Sequence, residues 1–385
     1  MFTNQIILSD FMEEHQINIR MFRPMESYQK YGGVLTFARS VGYAVVKKPE
    51  GYTTAKVDQI IQEYEKKSAN EQQSTAKQYP NIITVVNETF ADIKVLGDFK
   101  TNEDYMPYFH SLKKNCVTGY TYASIVGGQT ANTEFELLTG NTLGFLSAGT
   151  TAFQLYIHGQ MPSLVSNLKA EGYSGNKAMH PFNPYNYNRP AVYKDFGFTD
   201  FIDKFDFPKN VKRVREYISD EANVDRIISE YEKNRKKTDQ PFYMYNMTIQ
   251  NHSPYDKDAA NFKQPIKIES SKYDAEANRY LNLIKYSDDS LKQLTSYFEK
   301  CKEPTIILFL GDHQPRLTDE FMNKITNGKY QTWSSEQMMK RYQVPFVIWA
   351  NYDIKEQHIE KTSMNYMQSI LTQTAGVKMT GYQRF

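Results

Sequence analysis

The sequence predicts an α/β fold with a central, mostly parallel sheet flanked by helices and preceded by a helical N-terminal lead-in. From residue 81 onwards, short runs of β-branched and apolar residues alternate with longer amphipathic segments, as expected for strands that are connected through helices. The apolar runs have the length of buried strands, and none approaches the roughly 18 to 20 residues needed to cross a bilayer. With 40% hydrophobic and 23% charged residues, the composition excludes wholesale disorder.

Residues 1–78 are predicted to form the lead-in and a linker, and residues 79–385 the main α/β domain. Within the lead-in, 54–67 has apolar residues at helical spacing, whereas 68–78 is polar and typical of a linker. The last ~40 to 70 residues are a candidate for a small C-terminal subdomain.

Four segments of the main domain are predicted as buried strands because they are apolar and rich in β-branched or aromatic residues. They are 81–86, 242–248, 305–310 and 344–349. Amphipathic helices are predicted at 161–171, 222–232 and 276–300. Gly127 and Gly128 permit a tight turn, and a further helix is predicted to begin at Thr130.

Charge and cysteine content exclude several classes of protein. Lys and Arg number 46 and Asp and Glu 44, a net charge of +2, which lacks the basic excess of a nucleic-acid binder. Two cysteines are too few for a disulfide framework or a Cys-rich zinc site. Cys116 and Cys301 are expected as buried free thiols, with a disulfide between them left open. The 29 tyrosines suggest no function beyond stacking on sugars.

Acidic and imidazole side chains follow two of the predicted strands. Glu88 follows the first strand, and Asp312 and His313 follow the strand at 305–310. Ligands of open α/β sheets bind beyond the carboxyl ends of the strands, so these side chains would cluster if the two strands are parallel neighbours. Two carboxylates and an imidazole suit Mn²⁺, Mg²⁺ or Zn²⁺. The alternative is that each acidic residue caps a helix or contacts a loop.

Thr130 is a candidate nucleophile. A hydroxyl at a helix N-terminus lies beside free backbone N–H groups and the positive end of the helix dipole, which favour a phosphate or sulfate group. Beside a divalent metal the hydroxyl would lose its proton readily. The alternative is that Thr130 caps the helix and that Thr130, Thr133 and Glu134 only resemble a capping box.

Taken together, six ordered motifs resemble the lipoteichoic acid synthase family of the sulfatase and alkaline-phosphatase-like superfamily. The resemblance extends from about residue 81 to residue 349. The motifs are Asn87-Glu-Thr-Phe90, 128–135, Met161-Pro-Ser-Leu164 with Glu171-Gly-Tyr173, His180 with Tyr187-Asn-Arg189, Asn251-His-Ser-Pro254, and Gly311-Asp-His313.

The resemblance implies one divalent ion, typically Mn²⁺, held by Glu88, Thr130, Asp312 and His313. It implies that Thr130 attacks the phosphodiester of phosphatidylglycerol and becomes a glycerophospho-threonine. A second step then passes glycerol phosphate to an acceptor hydroxyl of an envelope polysaccharide or teichoic acid. The sulfatase signature Cys-x-Pro-x-Arg is absent at Cys116, which argues against a sulfate ester substrate.

The substrate side of the site follows from the same resemblance. His252 would assist proton transfer at the leaving or entering oxygen, and Arg189, with His180 and Tyr187 nearby, would contact the phosphate or glycerol. Polymer-forming family members differ at Val86 and Phe182, where they carry His and an acidic residue, and at Tyr187, where they carry Trp. These departures favour the members that add glycerol phosphate to envelope glycans, such as streptococcal enzymes that decorate the wall polysaccharide.

Several alternatives stay open at this point. The same site would serve a lipoteichoic acid polymer synthase, a phosphoethanolamine transferase or a phosphodiesterase, and a catalytically silent glycan-binding domain is the non-enzyme alternative. A lipid donor would also require a membrane anchor upstream, so the chain is expected to be the extracellular, soluble fragment of an anchored protein. His15, His110, His158 and His358 are expected in structural or surface positions. The basic run 234–238 is interpreted as a solvated helix end, with anionic lipid headgroups as its alternative partner.

Overall fold

The computed structural model describes residues 24–43, 46, 48–70, 79–147, 149–269 and 275–385. Its centre is an eight-stranded sheet with the strand order β10-β2-β9-β8-β1-β7-β3-β4, and a two-stranded ribbon of β5 and β6 lies apart from it. The strands are β1 Asn81–Asn87, β2 Cys116–Tyr122, β3 Ser174–Met179, β4 Asp200–Ile202, β5 Arg213–Val214, β6 Tyr217–Ile218, β7 Phe242–Met247, β8 Thr305–Gly311, β9 Gln343–Ala350 and β10 Gln357–Ser363.

Helices cover both faces of the sheet, and short 3₁₀ turns join several of them. The α-helices are α1 Pro24–Tyr31, α2 Gly33–Tyr43, α3 Thr54–Asn70, α4 Pro107–Ser111, α5 Thr130–Thr139, α6 Ala152–Leu155, α7 Leu164–Ala170, α8 Arg189–Phe196, α9 Asp220–Arg235, α10 Ala275–Phe298, α11 Asp319–Ile325, α12 Ser335–Met339, α13 Met367–Thr374 and α14 Gly381–Arg384.

The order of the strands brings the ends of β1, β7 and β8 together. β1 lies between β7 and β8 and is parallel to both, with Asn87 opposite Gly311 and Val86 opposite Met247. β9 is antiparallel to both of its neighbours, β8 and β2, while the other strand pairs of the described sheet are parallel. The sheet is therefore mostly parallel, as predicted, and the residues that follow β1 and β8 meet at one edge.

The alternation of side chains along β1 divides the core into two layers. Ile83 and Val85 pack on one face of the sheet, together with residues of α9 and α10. Ile82 and Val86 pack on the other face, against residues of α5, α7, α8 and α13. All four of these side chains are at most 3% exposed, and full burial of such a side chain contributes about 1.5–3 kcal/mol. This burial on both faces gives β1 its continuous apolar sequence.

The four predicted strands are confirmed as β1, β7, β8 and β9, and the predicted helices are present as α3, α5, α7, α9 and α10. Strands β2, β3, β4 and β10 were not predicted. β10 is exposed or half-buried along its whole length, and β3 reads Ser-Gly-Asn-Lys-Ala-Met, so neither has the apolar content of a central strand.

The lead-in helix α3 contacts the C-terminal end of the chain. The rings of Tyr64 and Phe385 meet edge to face, with centroids 5.2 Å apart. Residues 71–78 of the predicted linker lie outside the described residues, as does His15. β9 and β10, near the C-terminus, are strands of the central sheet, and the boundary at residue 78 stays a prediction. Among the described helices, none is both long and apolar enough to span a bilayer.

Candidate active site

Three potential metal ligands meet at the carboxyl ends of β1 and β8. One ligand atom each of Glu88, Asp312 and His313 lies within 4.8 Å of the other two, and all three residues are buried. Asp312 Oδ1 accepts hydrogen bonds from the backbone N–H groups of Thr89 and His313, at 2.6 and 2.8 Å. The clustering predicted for parallel neighbouring strands is therefore present, and the backbone holds the Asp312 carboxylate in place.

Two atoms of this cluster are buried without a hydrogen-bond partner. They are Asp312 Oδ2 and His313 Nε2, which lie 3.2 Å apart. His313 Nδ1 lies 3.0 Å from the carbonyl of Gln314, so it carries the ring proton and leaves a lone pair on Nε2. Two lone pairs that face each other in a buried site fit a shared cation. Burial, and then the charge of Asp312, raise the pKa of Glu88. Two buried carboxylates this close repel each other, and a positive charge between them would relieve the repulsion.

The Thr130 hydroxyl points towards this cluster rather than towards the helix end. The N-cap of α5 is Gln129, in a left-handed conformation with φ 64°, and Thr130 is the first helical residue. Thr130 Oγ1 donates to Glu88 Oε2 at 3.4 Å. The capping-box alternative is therefore wrong, because the cap position belongs to the preceding residue and leaves the hydroxyl for the site.

The start of α5 is bonded directly to the segment that carries the candidate ligands. Thr133 Oγ1 donates to the backbone carbonyl of Asp312 at 2.7 Å, and Gly127 N donates to that of Gln314 at 2.9 Å. Gly127 has φ 68°, and a Cβ there would lie 2.9 Å from the Cβ of Arg316, so this approach requires glycine. These contacts fix the position of Thr130 relative to Asp312.

A cavity of about 470 Å³ opens above the cluster. Asp312 is fully buried and does not line the cavity. The other seven candidate residues line it: Glu88, Thr130, His180, Tyr187, Arg189, His252 and His313. The lining also includes residues that were not singled out from the sequence, among them Gln154, Tyr185, Tyr255 and Arg316. They belong to no motif, and only the fold brings them to the cavity.

Arg189 is held in the wall of the cavity by a buried carboxylate. Its Nε and Nη2 atoms donate to Glu134 Oε1 at 3.1 and 2.6 Å, and the second carboxylate oxygen accepts from the hydroxyls of Tyr193 and Tyr245. Burial alone would lower the pKa of Arg189, but Glu134 reverses this effect and raises it. The guanidinium also lies 5.1 Å from the centre of the Tyr187 ring. The guanidinium is thus kept in its charged form and held in a fixed orientation in the cavity wall.

His180 is neutral in this setting. Burial, and then the charge of Arg189, hold the pKa of His180 well below its ordinary value. Its Nδ1 lies 3.0 Å from the carbonyl of Met247 and donates to it, so Nε2 is left as an acceptor.

His252 also lines the cavity, in a loop that one arginine organises. His252 Nδ1 lies 2.7 Å from the carbonyl of Ser253, which again leaves Nε2 as the acceptor. Arg215 donates to the carbonyls of Gln250, His252 and Pro254 at 2.7 to 2.8 Å. The Phe182 ring stacks on His252, with centroids 6.3 Å apart.

A buried polar network joins the β1 end to the same loop. Asp220 Oδ2 accepts from Asn87 Nδ2 at 2.8 Å, from Ser287 Oγ at 2.6 Å and from Gln250 Nε2 at 3.4 Å. Asn251 Nδ2 donates to Asn87 Oδ1 at 3.1 Å and to Ser287 Oγ at 2.8 Å. The neighbours of Glu88 and His252 are therefore connected through hydrogen-bonded side-chain amides. Sequence inspection did not identify Arg215 or Asp220, whose partners lie tens of positions away.

Among the described residues, the other histidines and both cysteines lie outside the cavity lining. His110 contacts Asp92 and Asp104, and together these carboxylates raise its pKa to about 9. His158 contacts the carbonyl of Leu155, and His358 the hydroxyl of Thr118. Cys116 and Cys301 are both free, so the disulfide left open from the sequence is not formed.

Comparison with known proteins assigns the fold to a family. A family model described as Sulfatase matches residues 80–377. The chain belongs to the sulfatase family. This agrees with the resemblance found in the sequence motifs and with the mostly parallel sheet.

Two curated proteins and one solved structure are similar to this sulfatase-family chain. It is 31% identical over 373 residues to the putative cyclic beta-1,2-glucan modification protein of Rhizobium meliloti, covering 95% of this chain and 56% of that protein. It is 27% identical over 237 residues to the lipoteichoic acid synthase-like YvgJ of Bacillus subtilis, covering 60% of this chain and 36% of YvgJ. The chain thus spans about half the length, or less, of these relatives.

The solved structure is that of the Streptococcus pyogenes phosphoglycerol transferase GacH in complex with sn-glycerol-1-phosphate. It superposes with a TM-score of 0.73 at 20% identity and covers 88% of this chain and 86% of GacH. At this level of identity the superposition establishes a shared fold.

Proposed function

We propose that this chain is a phosphoglycerol transferase that moves glycerol phosphate from phosphatidylglycerol to a hydroxyl of a cell-envelope glycan or teichoic acid. The observation that carries the proposal is the environment of Thr130. Its hydroxyl lies 3.4 Å from Glu88, beside the unpartnered lone pairs of Asp312 and His313 and at the base of a cavity that Arg189 also lines. A nucleophile, a cation site and an anchored positive charge in one cavity suit phosphoryl transfer.

Glu88, Asp312 and His313, with the Thr130 oxygen, are proposed to hold one divalent cation, with Mn²⁺ preferred and Mg²⁺ or Zn²⁺ as alternatives. When bound, the ion would supply charge neutralisation at the phosphate and favour the deprotonated form of the hydroxyl. The two unpartnered atoms of the cluster support this assignment.

In the first step, Thr130 reacts in its deprotonated form: its oxygen forms a bond to phosphorus while the bond to the diacylglycerol oxygen breaks, and it leaves phosphorus in the same form in the second step. The Nδ1 atom of His252 contacts the carbonyl of Ser253, so Nε2 is available to the substrate. When His252 is protonated, Nε2 donates its proton to the departing oxygen. In the second step, Nε2 takes the proton from the acceptor hydroxyl, whose oxygen displaces Thr130 from phosphorus. Arg189 stabilises the charge on the phosphate oxygens, and neutral His180 accepts a hydrogen bond from a glycerol hydroxyl.

The nature of the acceptor is proposed from the relatives and from one cavity residue. The rhizobial relative is named for modification of a cyclic glucan, and GacH is named a phosphoglycerol transferase. Phe182 stacks on His252 in a position where the resemblance implies an acidic residue for polymer-forming enzymes. An aromatic wall here favours transfer to a sugar over repeated addition to a charged polymer end. A lipid donor further implies an extracellular domain at the membrane of the cell.

The test offers vesicles of phosphatidylglycerol and of phosphatidylethanolamine in parallel, with Mn²⁺, and measures released diacylglycerol. We expect release from phosphatidylglycerol, a loss of at least about 10³-fold for Thr130→Ala, and partial activity for Thr130→Ser. Thr332→Ala, at an exposed threonine on the described surface, is the matched control and should retain the full rate.

An active Thr130→Ala protein would refute the assignment of the nucleophile. Release from phosphatidylethanolamine alone would replace the proposal with a phosphoethanolamine transferase. Release without transfer to any added glycan or teichoic acid would indicate a phosphodiesterase.

A further inference from the structure

The mouth of the catalytic cavity carries two strongly exposed aromatic side chains. Tyr185 lines the cavity and is 80% exposed, and Phe205 is 74% exposed. Phe205 is tied to the mouth through Lys204, whose backbone N–H donates to the carbonyl of the cavity residue Phe182 at 3.4 Å. Large apolar side chains exposed this far are unfavourable in water and mark contact sites when they surround an opening.

Cationic side chains accompany these aromatic residues. The Lys204 ammonium lies 4.9 Å from the centre of the Phe205 ring and 5.9 Å from that of Phe182. Arg316 is exposed and lines the cavity from the opposite side, next to Gly127. The acidic residues of the same turn, Asp203 and Asp206, accept hydrogen bonds from backbone N–H groups within it.

The size of the cavity limits how a lipid can reach Thr130. About 470 Å³ is the volume of a small-molecule site, which suits a glycerol phosphate headgroup but not two acyl chains. Every methylene group moved from the bilayer into water carries a free-energy penalty, so the acyl chains must stay in the membrane while the headgroup enters. The mouth of the cavity then has to lie on the bilayer surface.

We propose that the mouth surface, defined as Tyr185, Lys204, Phe205 and Arg316, docks on an anionic bilayer. This inference rests on the proposed function, since it concerns how the lipid donor is presented. The aromatic rings enter the boundary between headgroups and acyl chains, and the two cations pair with lipid phosphates. The cavity then opens directly onto the headgroup layer.

The same side chains are less suited to a glycan partner. Sugars stack on an open aromatic face, but the Lys204 ammonium lies over the Phe205 ring. A phenyl ring next to a lysine is instead the pairing found where a protein surface enters an interface and binds anionic headgroups. The basic run 234–238 does not compete for this role, because it precedes β7 and Asn234 bonds to Ser174 at the start of β3, at the opposite edge of the sheet.

The experiment measures sedimentation of the full chain with vesicles of phosphatidylglycerol or phosphatidylcholine. We expect Phe205→Ala to lower affinity for both vesicles by about tenfold and Phe205→Trp to retain it. Lys204→Gln should lower affinity for phosphatidylglycerol alone, by about fivefold. The matched control is Phe37→Ala, an equally simple truncation of a 64% exposed phenylalanine on α2, which should bind like the unmodified chain.

A water-soluble glycerophosphoryl 4-nitrophenyl diester separates docking from chemistry, and Phe205→Ala should cleave it at the unmodified rate. If the chain cleaves this diester but binds no vesicle, the docking surface is wrong and the proposed function stands. If the chain binds vesicles through Phe205 but cleaves neither phosphatidylglycerol nor the soluble diester, the proposed function is wrong and the docking surface stands. Unchanged vesicle binding by Phe205→Ala, or loss of vesicle binding in Phe37→Ala instead, would overturn the docking surface.

Discussion

Removing the charge of Glu134 should destabilise the protein more than removing the charge of its helical neighbour Glu136. Both carboxylates lie on α5 and are completely buried. Glu134 pairs with the buried guanidinium of Arg189, whereas Glu136 Oε1 accepts from Ser124 Oγ and Leu143 N, and its Oε2 has no partner. Glu134→Gln therefore leaves an uncompensated buried cation, and Glu136→Gln does not.

The magnitude follows from the burial of Arg189, which is 1% exposed. Breaking a buried ion pair from one side costs about 3–5 kcal/mol. For a domain of about 300 residues the unfolding entropy is about 0.6 kcal/mol per kelvin, so Glu134→Gln should lower Tm by about 5–8 °C. Burial raises the pKa of Glu136, which favours its neutral form, so Glu136→Gln should change Tm by no more than about 2 °C.

Thermal unfolding followed by circular dichroism at pH 7 measures both variants against the unmodified chain. The double variant Glu134→Gln with Arg189→Met removes the stranded charge and should recover much of the lost Tm. An equal decrease in Tm for Glu134→Gln and Glu136→Gln would refute the view that the unpaired guanidinium causes the destabilisation. So would a double variant whose Tm is no higher than that of Glu134→Gln.

Three further results are expected. Arg215→Lys loses the bonds to three carbonyls that hold the His252 loop, so turnover should fall by about 10- to 100-fold with little change in Tm, and a normal turnover would contradict this role. The raised pKa of His110 means that its contribution to stability is complete below pH 6.5 and is lost as pH rises through about 9. The Tm difference between the unmodified chain and His110→Gln, about 1–2 °C, should therefore vanish by about pH 10, and a difference that stays constant with pH would exclude this titration. Mn²⁺ at about 100 times its Kd should stabilise the fold by about 2.7 kcal/mol, raising Tm by about 4 °C, in an EDTA-reversible manner. Asp312→Asn should abolish this shift, and an equal shift in that variant would place the ion elsewhere.

Sequence patterns predicted the centre of the fold well, for a physical reason. β1, β7 and β8 are buried on both faces, so their sequences are continuously apolar and stand out. Because β1 and β8 are parallel neighbours, the residues after each strand meet. Their positions made Glu88 and Asp312 candidates, and the resemblance to a known family selected them over the capping alternative. The same patterns did not reveal β10, whose exposed side chains carry no apolar signal and whose pairing with β2 depends on the backbone.

The supporting residues of the site could not be predicted for a different reason. Arg215 acts on backbone carbonyls, which every residue has, so no partner residue type marks its role. Asp220 begins a helix and in the sequence is indistinguishable from an ordinary first-turn acid, yet its side chain bonds to Asn87 and Ser287. Such contacts become visible only when distant parts of the chain are brought together.

The bond from Thr133 to the carbonyl of Asp312 separates the fold into a part that is constrained against change and a part that is free to vary. The helix with the proposed nucleophile and the strand with the candidate ligands are joined to each other, so neither can shift during evolution without displacing the other. The segment that carries Tyr185 and the turn that carries Phe205 lie outside this joint. Relatives can therefore exchange these outer segments and acquire new donors or acceptors, while inheriting the chemical step unaltered.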